Sequence, residues 1–234
     1  MHVELLTVPG CPHAVPTHKL LNAVLARLAR GASVVQTEIR TTAQAEQLGF
    51  LGSPSLRIDG LDIEGRHSEP ASLACRLYDG AGSPPQWLIE AAILRALRPH
   101  HVLFMCVANS ARSQLAEGIA RALAPAGVKV SSAGSQPTQV RPEAIATLAE
   151  VGIDIAGHFS KTTAQVDSAS VDAVITLCAE EVCPAFLGQV HRLHWGLPDP
   201  AAVQGSSQRQ TAFAATRNEL RRRLAVLFAP RAWK

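Results

Sequence analysis

Aromatic residues are scarce in this chain, 4% of 234 positions, with a single tyrosine and three tryptophans. Alanine and leucine must fill the interior instead, which favours helix-rich packing. Charge is also sparse. Charged residues make up 18% and leave a formal excess of only +3, too little to mark a nucleic-acid partner. The one basic run, Arg221-Arg222-Arg223, follows Glu219 and Leu220 in a helical stretch and suits a solvated helix face. The first strand-like run, Val3 to Val8, has no basic leader and is too short to span a membrane, so no membrane partner is expected and the cytoplasm is the default setting. The five cysteines, Cys11, Cys75, Cys106, Cys178 and Cys183, are odd in number and irregularly spaced. They form neither a CxxC pair nor the spacing of a zinc site, so they are expected to be reactive or buried thiols in a reducing compartment. Neither a metal nor an organic cofactor is expected.

Hydrophobic residues are 47% of the chain, enough for each of two halves to bury a core. The first half reads as a strand over Val3–Val8, a Pro-Gly-Cys-Pro turn, and a helix over Thr17–Ala29 with Leu20, Leu21, Val24, Leu25 and Leu28 on one side. A strand over Ala32–Ile39 and a short helix over Ala43–Leu48 follow. Ser53-Pro54 then leads to Ser55–Ile58, and Asp59-Gly60 turns the chain back into Leu61–Ile63. A helix over Trp87–Leu97 closes this half. The boundary is placed near Arg98-Pro99-His100, dividing residues 1–98 from 99–234, with His100 and His101 as linker residues. Beyond it, strands (Val102–Met105, Val128–Ser132, Val171–Leu177, Val190–His194) alternate with helices (Gln114–Leu123, Pro142–Val151, Thr211–Phe228). That alternation predicts an α/β fold with a parallel sheet, whose ligands bind at the carboxyl ends of the strands.

The strand Val102–Met105 runs into Cys106, followed by Val107, Ala108, Asn109, Ser110, Ala111, Arg112 and Ser113. This is Cys-x5-Arg between a strand and a helix. Such a loop aims successive backbone N–H groups at one centre, and the helix adds its positive end. The centre suits a tetrahedral oxyanion, which Arg112 can grip with its planar fork. The same field favours the thiolate, making Cys106 a nucleophile. Far downstream, Asp199 in the loop Trp195–Pro200 is expected to protonate a leaving oxygen.

Over residues 100 to 230 the sequence resembles the thioredoxin-coupled arsenate reductases, which share the fold of low-molecular-weight protein tyrosine phosphatases. The resemblance is carried by Cys106–Gln114, Ser132-Ala133-Gly134, Gly152–Ile155, Val174–Cys178, Cys183-Pro184 and Trp195–Pro200. It implies arsenate as substrate, with phosphate or sulfate as analogues, and a thioredoxin-type reductant as partner. It further implies that Cys178 resolves the Cys106 adduct and that Cys183 then yields a Cys178–Cys183 disulfide. Residues 179–182 read as helix. Cysteines five apart on a helix have Cα atoms ~8 to 9 Å apart, beyond the ~7 Å reach of a disulfide, so forming the bond would unwind the segment. Two other activities share the fold's chemistry: phosphomonoester hydrolysis, with the extra thiols as redox control, and sensing of a thiophilic ion.

The first half resembles a thioredoxin-like α/β domain. Cys11 stands where that fold carries its nucleophile and Pro54 where it carries a proline facing it. The second cysteine of CxxC is replaced, since the sequence is Cys11-Pro12-His13-Ala14. Either Cys75 pairs with Cys11, or the domain only docks or dimerises the enzyme as a homodimer.

Some arsenate reductases of this kind bind potassium through a set resembling Asn109, Glu117, Ser132 and an aspartate. Here the aspartate is replaced by Lys161, whose ammonium would take the cation's place. Exchanging potassium for sodium at constant ionic strength is therefore expected to leave arsenate turnover unchanged. A several-fold rise in potassium would contradict the assignment.

Overall fold

The computed structural model describes residues 1–66, 69–179, 186 and 188–229. The chain divides into two compact units, Met1–Leu97 and Arg98–Lys234.

The first unit runs β1 (Val3–Thr7), α1 (Ala14–Leu28), β2 (Val34–Glu38), α2 (Thr42–Leu48), β3 (Ser55–Ile58), β4 (Leu61–Asp62) and α3 (Gln86–Leu97). Its sheet has the order β2-β1-β3-β4, with β1 and β2 parallel and β3 antiparallel to β1 and β4. Helix α1 begins three residues before the position read from periodicity. Pro16 falls in its first turn, where a missing N–H costs nothing. Helix α2 is capped by Thr41 Oγ1, which accepts from Gln44 N at 3.2 Å, and ends on left-handed Gly49. The Ser53–Pro54 peptide is cis and leads into β3. Arg76 is buried and donates to both carboxylate oxygens of Asp62 (2.6 and 2.8 Å), to Glu64 (2.8 Å) and to Ser55 Oγ (3.0 Å). Burial works against its charge, but these partners outweigh burial and hold the guanidinium well above its ordinary value.

The second unit runs β5 (His101–Cys106), α4 (Arg112–Leu123), β6 (Lys129–Gly134), α5 (Pro142–Ala149), β7 (Ala173–Thr176), β8 (His191–His194) and α6 (Ser206–Leu227). Its four strands are all parallel, in the order β6-β5-β7-β8. Every residue of β5 is buried, as expected of a parallel strand covered on both faces. Leu103, Met105, Ala133, Val166, Val171, Val174 and Phe186 form one apolar cluster on this sheet, and α6 packs against α4 and α5. The chain leaves β5 toward β6 on one side and later returns to β7 on the other. The carboxyl end of β5 is thus the switch point of the sheet, where a crevice opens.

One sequence expectation changes. His101 is not a linker residue: it is the first residue of β5, buried, with its ring nitrogens 2.7 Å from Ser131 Oγ and 3.0 Å from Ser170 Oγ. The linker reading failed because a strand starting directly after Pro99-His100 has no apolar alternation to announce it. The helical reading of 179–182 lies outside the described residues from position 180 onward, and Ala179 itself is in a bend. Among the described residues no helix is long and apolar enough to cross a membrane. Arg222 and Arg223 both donate to Glu219, which accounts for part of the basic run as a paired helix face.

Burial, and then the charge of Lys129, push His101 below the ordinary histidine value. The unfolded chain therefore takes up this proton more readily than the folded one. Stability of the second unit is expected to be full above about pH 6.5 and to fall as pH drops below it. Urea midpoints measured across that window test this, and His101→Gln should flatten the slope.

Candidate active site

Cys106 is the last residue of β5, and the next six residues close a loop onto the first turn of α4. The carbonyls of this loop are held from outside. Val107 O accepts from Gln136 N (3.0 Å), Ala108 O from Thr138 N (3.0 Å) and Ser110 O from Arg141 N (2.9 Å). Asn109 O accepts from Ser160 Oγ (2.7 Å) and Gln114 Nε2 (3.0 Å). In a trans peptide the C=O and the following N–H point in opposite directions. Four outward carbonyls therefore turn the N–H groups of Ala108, Asn109, Ser110 and Ala111 toward the loop's interior. That is a concave set of donors at a helix N-terminus, a site for an oxyanion.

Asn109 is the brace of the loop. Its φ of 45° is left-handed, a conformation asparagine tolerates better than most residues. Its buried amide is fully used: Nδ2 donates to Ser113 Oγ and Ser132 Oγ, both at 2.8 Å, while Oδ1 accepts from Lys161 N (2.8 Å) and Gln114 Nε2 (3.2 Å). Because Ser113 Oγ accepts from Asn109, its own proton is available to the Cys106 sulfur 3.0 Å away. Ser132 Oγ donates to Glu117 Oε2 at 2.5 Å. The buried Glu117 carboxylate also meets Lys161 Nζ at 3.3 Å and the Arg121 guanidinium. A chain of contacts thus runs from the Cys106 sulfur through Ser113, Asn109 and Ser132 to Glu117, with the Lys161 ammonium beside it.

Arg112, the first residue of α4, is buried and donates through Nη1 to Leu197 O (3.0 Å) and Leu177 O (3.4 Å). Its Nε lies 3.7 Å from Asp199 Oδ1. Leu177 immediately precedes Cys178, which is wholly buried just past β7. Asp199 is partly exposed and caps a short 3₁₀ turn, accepting from Ala201 N at 3.2 Å. Leu197 N donates to Leu177 O, which ties the Asp199 loop to the Cys178 segment. The structure thus brings Cys106, Arg112, Ser113, Asp199 and Cys178 to one edge of one sheet. Cys183 lies outside the described residues. Cys11, Pro54 and Cys75 belong to the first unit.

Several supporting contacts are not legible in the sequence, even where the residue belongs to the loop motif, as Gln114 does. Gln114 spans Asn109 and Phe159, and its Oε1 is 2.9 Å from His158 Nδ1. Ser160 and Arg141 hold loop carbonyls. Nothing local marks Ser160 and Arg141, since each acts on a loop carbonyl more than 30 residues away. Gly134 was noted only as part of a motif, and its physical role is close approach. A Cβ built there would lie 2.3 Å from Val107 O and 2.9 Å from Asn109 N.

Residues 101–232 match the family described as low molecular weight phosphotyrosine protein phosphatase. An arsenate reductase of Halalkalibacterium halodurans is 38% identical over 126 residues, covering 53% of this chain and 91% of that protein. An arsenate reductase of Bacillus subtilis is 39% identical over 126 residues with the same coverage. A solved structure described as an arsenate reductase in oxidized state is 33% identical, covers 56% of this chain and 97% of its own, and superposes with a TM-score of 0.49.

Since the obstacle to a Cβ at position 134 is main chain, Gly134→Ala must displace the loop. It is expected to weaken phosphate protection of Cys106 against iodoacetamide by at least tenfold, about 1.4 kcal/mol, while the far-ultraviolet circular dichroism stays unchanged.

Proposed function

The chain belongs to the low molecular weight phosphotyrosine protein phosphatase family over residues 101–232, and on that footing we propose that it reduces arsenate to arsenite. The observation that carries the reading is the pairing of the Cys106 loop with a second buried thiol, Cys178, at the end of the neighbouring strand. Arg112 joins the two through the Leu177 carbonyl. The relatives named arsenate reductase cover this part of the chain.

In this reading the loop amides and Arg112 bind the tetrahedral anion and neutralise its charge. The Cys106 thiolate, supported by the Ser113 hydroxyl, attacks arsenic, and Asp199 gives its proton to the departing oxygen. Cys178 then attacks the Cys106 sulfur. The arsenic–sulfur bond breaks with its electron pair remaining on arsenic, which leaves as arsenite, and a Cys106–Cys178 disulfide remains. Cys183 attacks Cys178, freeing Cys106 and giving a Cys178–Cys183 disulfide. An external dithiol of the thioredoxin type reduces that disulfide to the two thiols and is itself oxidised to a disulfide, in a reducing, cytoplasmic setting. No metal is required.

Hydrolysis differs at one point. A phosphatase needs water to complete its cycle, whereas reduction needs a second thiol within reach. For the first unit we propose a thioredoxin-like α/β domain, supported by its parallel β1–α1–β2 unit joined to the antiparallel β3–β4 pair.

Cys178→Ser and Cys183→Ser are each expected to lower arsenate reduction by about 10³-fold or more, the scale seen when one member of a covalent catalytic set is removed. Hydrolysis of para-nitrophenyl phosphate should survive in both. Unchanged arsenate reduction would mean that the relay assignment is wrong.

A further inference from the structure

The first unit holds two thiols that the mechanism above does not use. Cys11 lies in the turn between β1 and α1, with its N–H on Val8 O (3.3 Å) and its carbonyl accepting from Ala14 N (3.2 Å). Val8 N in turn donates to Ser53 Oγ at 3.0 Å. On the other side of Ser53 the segment 74–76 is paired in parallel, with Ser53 N on Ala74 O (2.9 Å) and Arg76 N on Ser53 O (3.0 Å). Cys75 is the residue opposite Ser53 in this pairing. In-register neighbours on paired strands project their side chains to the same face. The Cys75 side chain therefore shares a face with the Ser53 hydroxyl that reaches the end of β1.

This docking is tight and anchored. A Cβ at Gly52 would meet Ala74 O at 2.9 Å and Arg76 Cβ at 3.3 Å. Arg76 is locked by Asp62 and Glu64, and Tyr78 donates to Pro54 O at 2.9 Å. Alternation buries Arg76 and Tyr78 while leaving Cys75 and Leu77 exposed. Cys11 is half-buried and both thiols are free. An exposed cysteine on a fixed segment contributes nothing to a core, so packing does not account for it.

We propose that Cys11 and Cys75 are a second thiol–disulfide exchange site, flanking Ser53 and taking small-molecule or protein disulfides as substrates. The Cys11 thiolate attacks a substrate disulfide R–S–S–R, forming a mixed disulfide and releasing one RS⁻. The Cys75 thiolate then attacks the Cys11 sulfur, releasing the second RS⁻ and leaving a Cys11–Cys75 disulfide. The substrate gains two electrons and the pair loses two. Disulfide formation needs Cα atoms within about 7 Å, and since Cys75 is pinned on both sides, any adjustment falls on the turn carrying Cys11. The site rests on the geometry of residues 1–97 alone and is independent of the Cys106 loop.

The test uses the full chain, equilibrated in glutathione buffers of decreasing reduced-to-oxidised ratio, quenched in acid, alkylated and mapped by mass spectrometry. A linked Cys11–Cys75 peptide is expected to accumulate as the ratio falls. In Cys75→Ser, at an exposed and therefore tolerant position, Cys11 should instead accumulate as its mixed disulfide with glutathione. The proposal is overturned if no linked peptide forms in the wild type, or if Cys11 carries glutathione equally in both proteins. Peptide mapping reads Cys106 and Cys178 separately, so failure of the arsenate reading leaves this outcome interpretable.

Discussion

A peptide plane has two sides, and the anion loop exploits that constraint. The carbonyls of Val107, Ala108, Asn109 and Ser110 are engaged by groups outside the loop, so the following N–H groups face its interior. A buried N–H without an acceptor costs about 1–3 kcal/mol, and an oxyanion satisfies several at once. The partners that hold the carbonyls come from Gln114, from the stretch after β6 and from Ser160. The loop is therefore a product of the whole second unit and could not keep its shape as an isolated peptide.

Behind the loop, charge is buried in order to fix position. Glu117 is taken out of water beside Lys161 and Arg121, and its oxygen accepts from Ser132. Buried ion pairs contribute little net stability against their desolvation cost, yet removing one partner is expensive. Their value here is directional. They orient Ser132, which orients Asn109, which leaves the Ser113 proton to the sulfur. The first unit uses the same device, with Arg76 held between Asp62 and Glu64 and the exposed Cys75 next to it.

The chemical outcome turns on which group completes the reaction after Cys106 has bonded to the anion. In the proposed chemistry the loop, Arg112 and Asp199 would serve hydrolysis and reduction equally well. Cys178 lies on the segment whose Leu177 carbonyl Arg112 also contacts, and in the proposed reduction it is the thiol that would take the place of attacking water.

The sequence alone pointed to a two-part organisation, to the β–α alternation of the second half, and to Cys106 and Arg112 as the two ends of a Cys-x5-Arg loop. These are local signals, carried by apolar periodicity and by residues six apart on one turn of chain. It also offered Asp199 as a candidate acid from its loop, and Cys178 as a candidate thiol through a resemblance. Spacing alone cannot place residues 72 and 93 positions beyond Cys106 at the same sheet edge. Tertiary structure decided the rest. The strand order β6-β5-β7-β8 put Cys106 at the switch point, moved His101 from a presumed linker into the sheet, and set Gly134 against Val107. It also enlisted Ser160 and Arg141, polar residues with no pattern of their own, and tied Gln114 of the loop motif to Phe159 and His158. Their roles arise from hydrogen bonds across long sequence separations, which exist only once the sheet and helices have brought those backbones together.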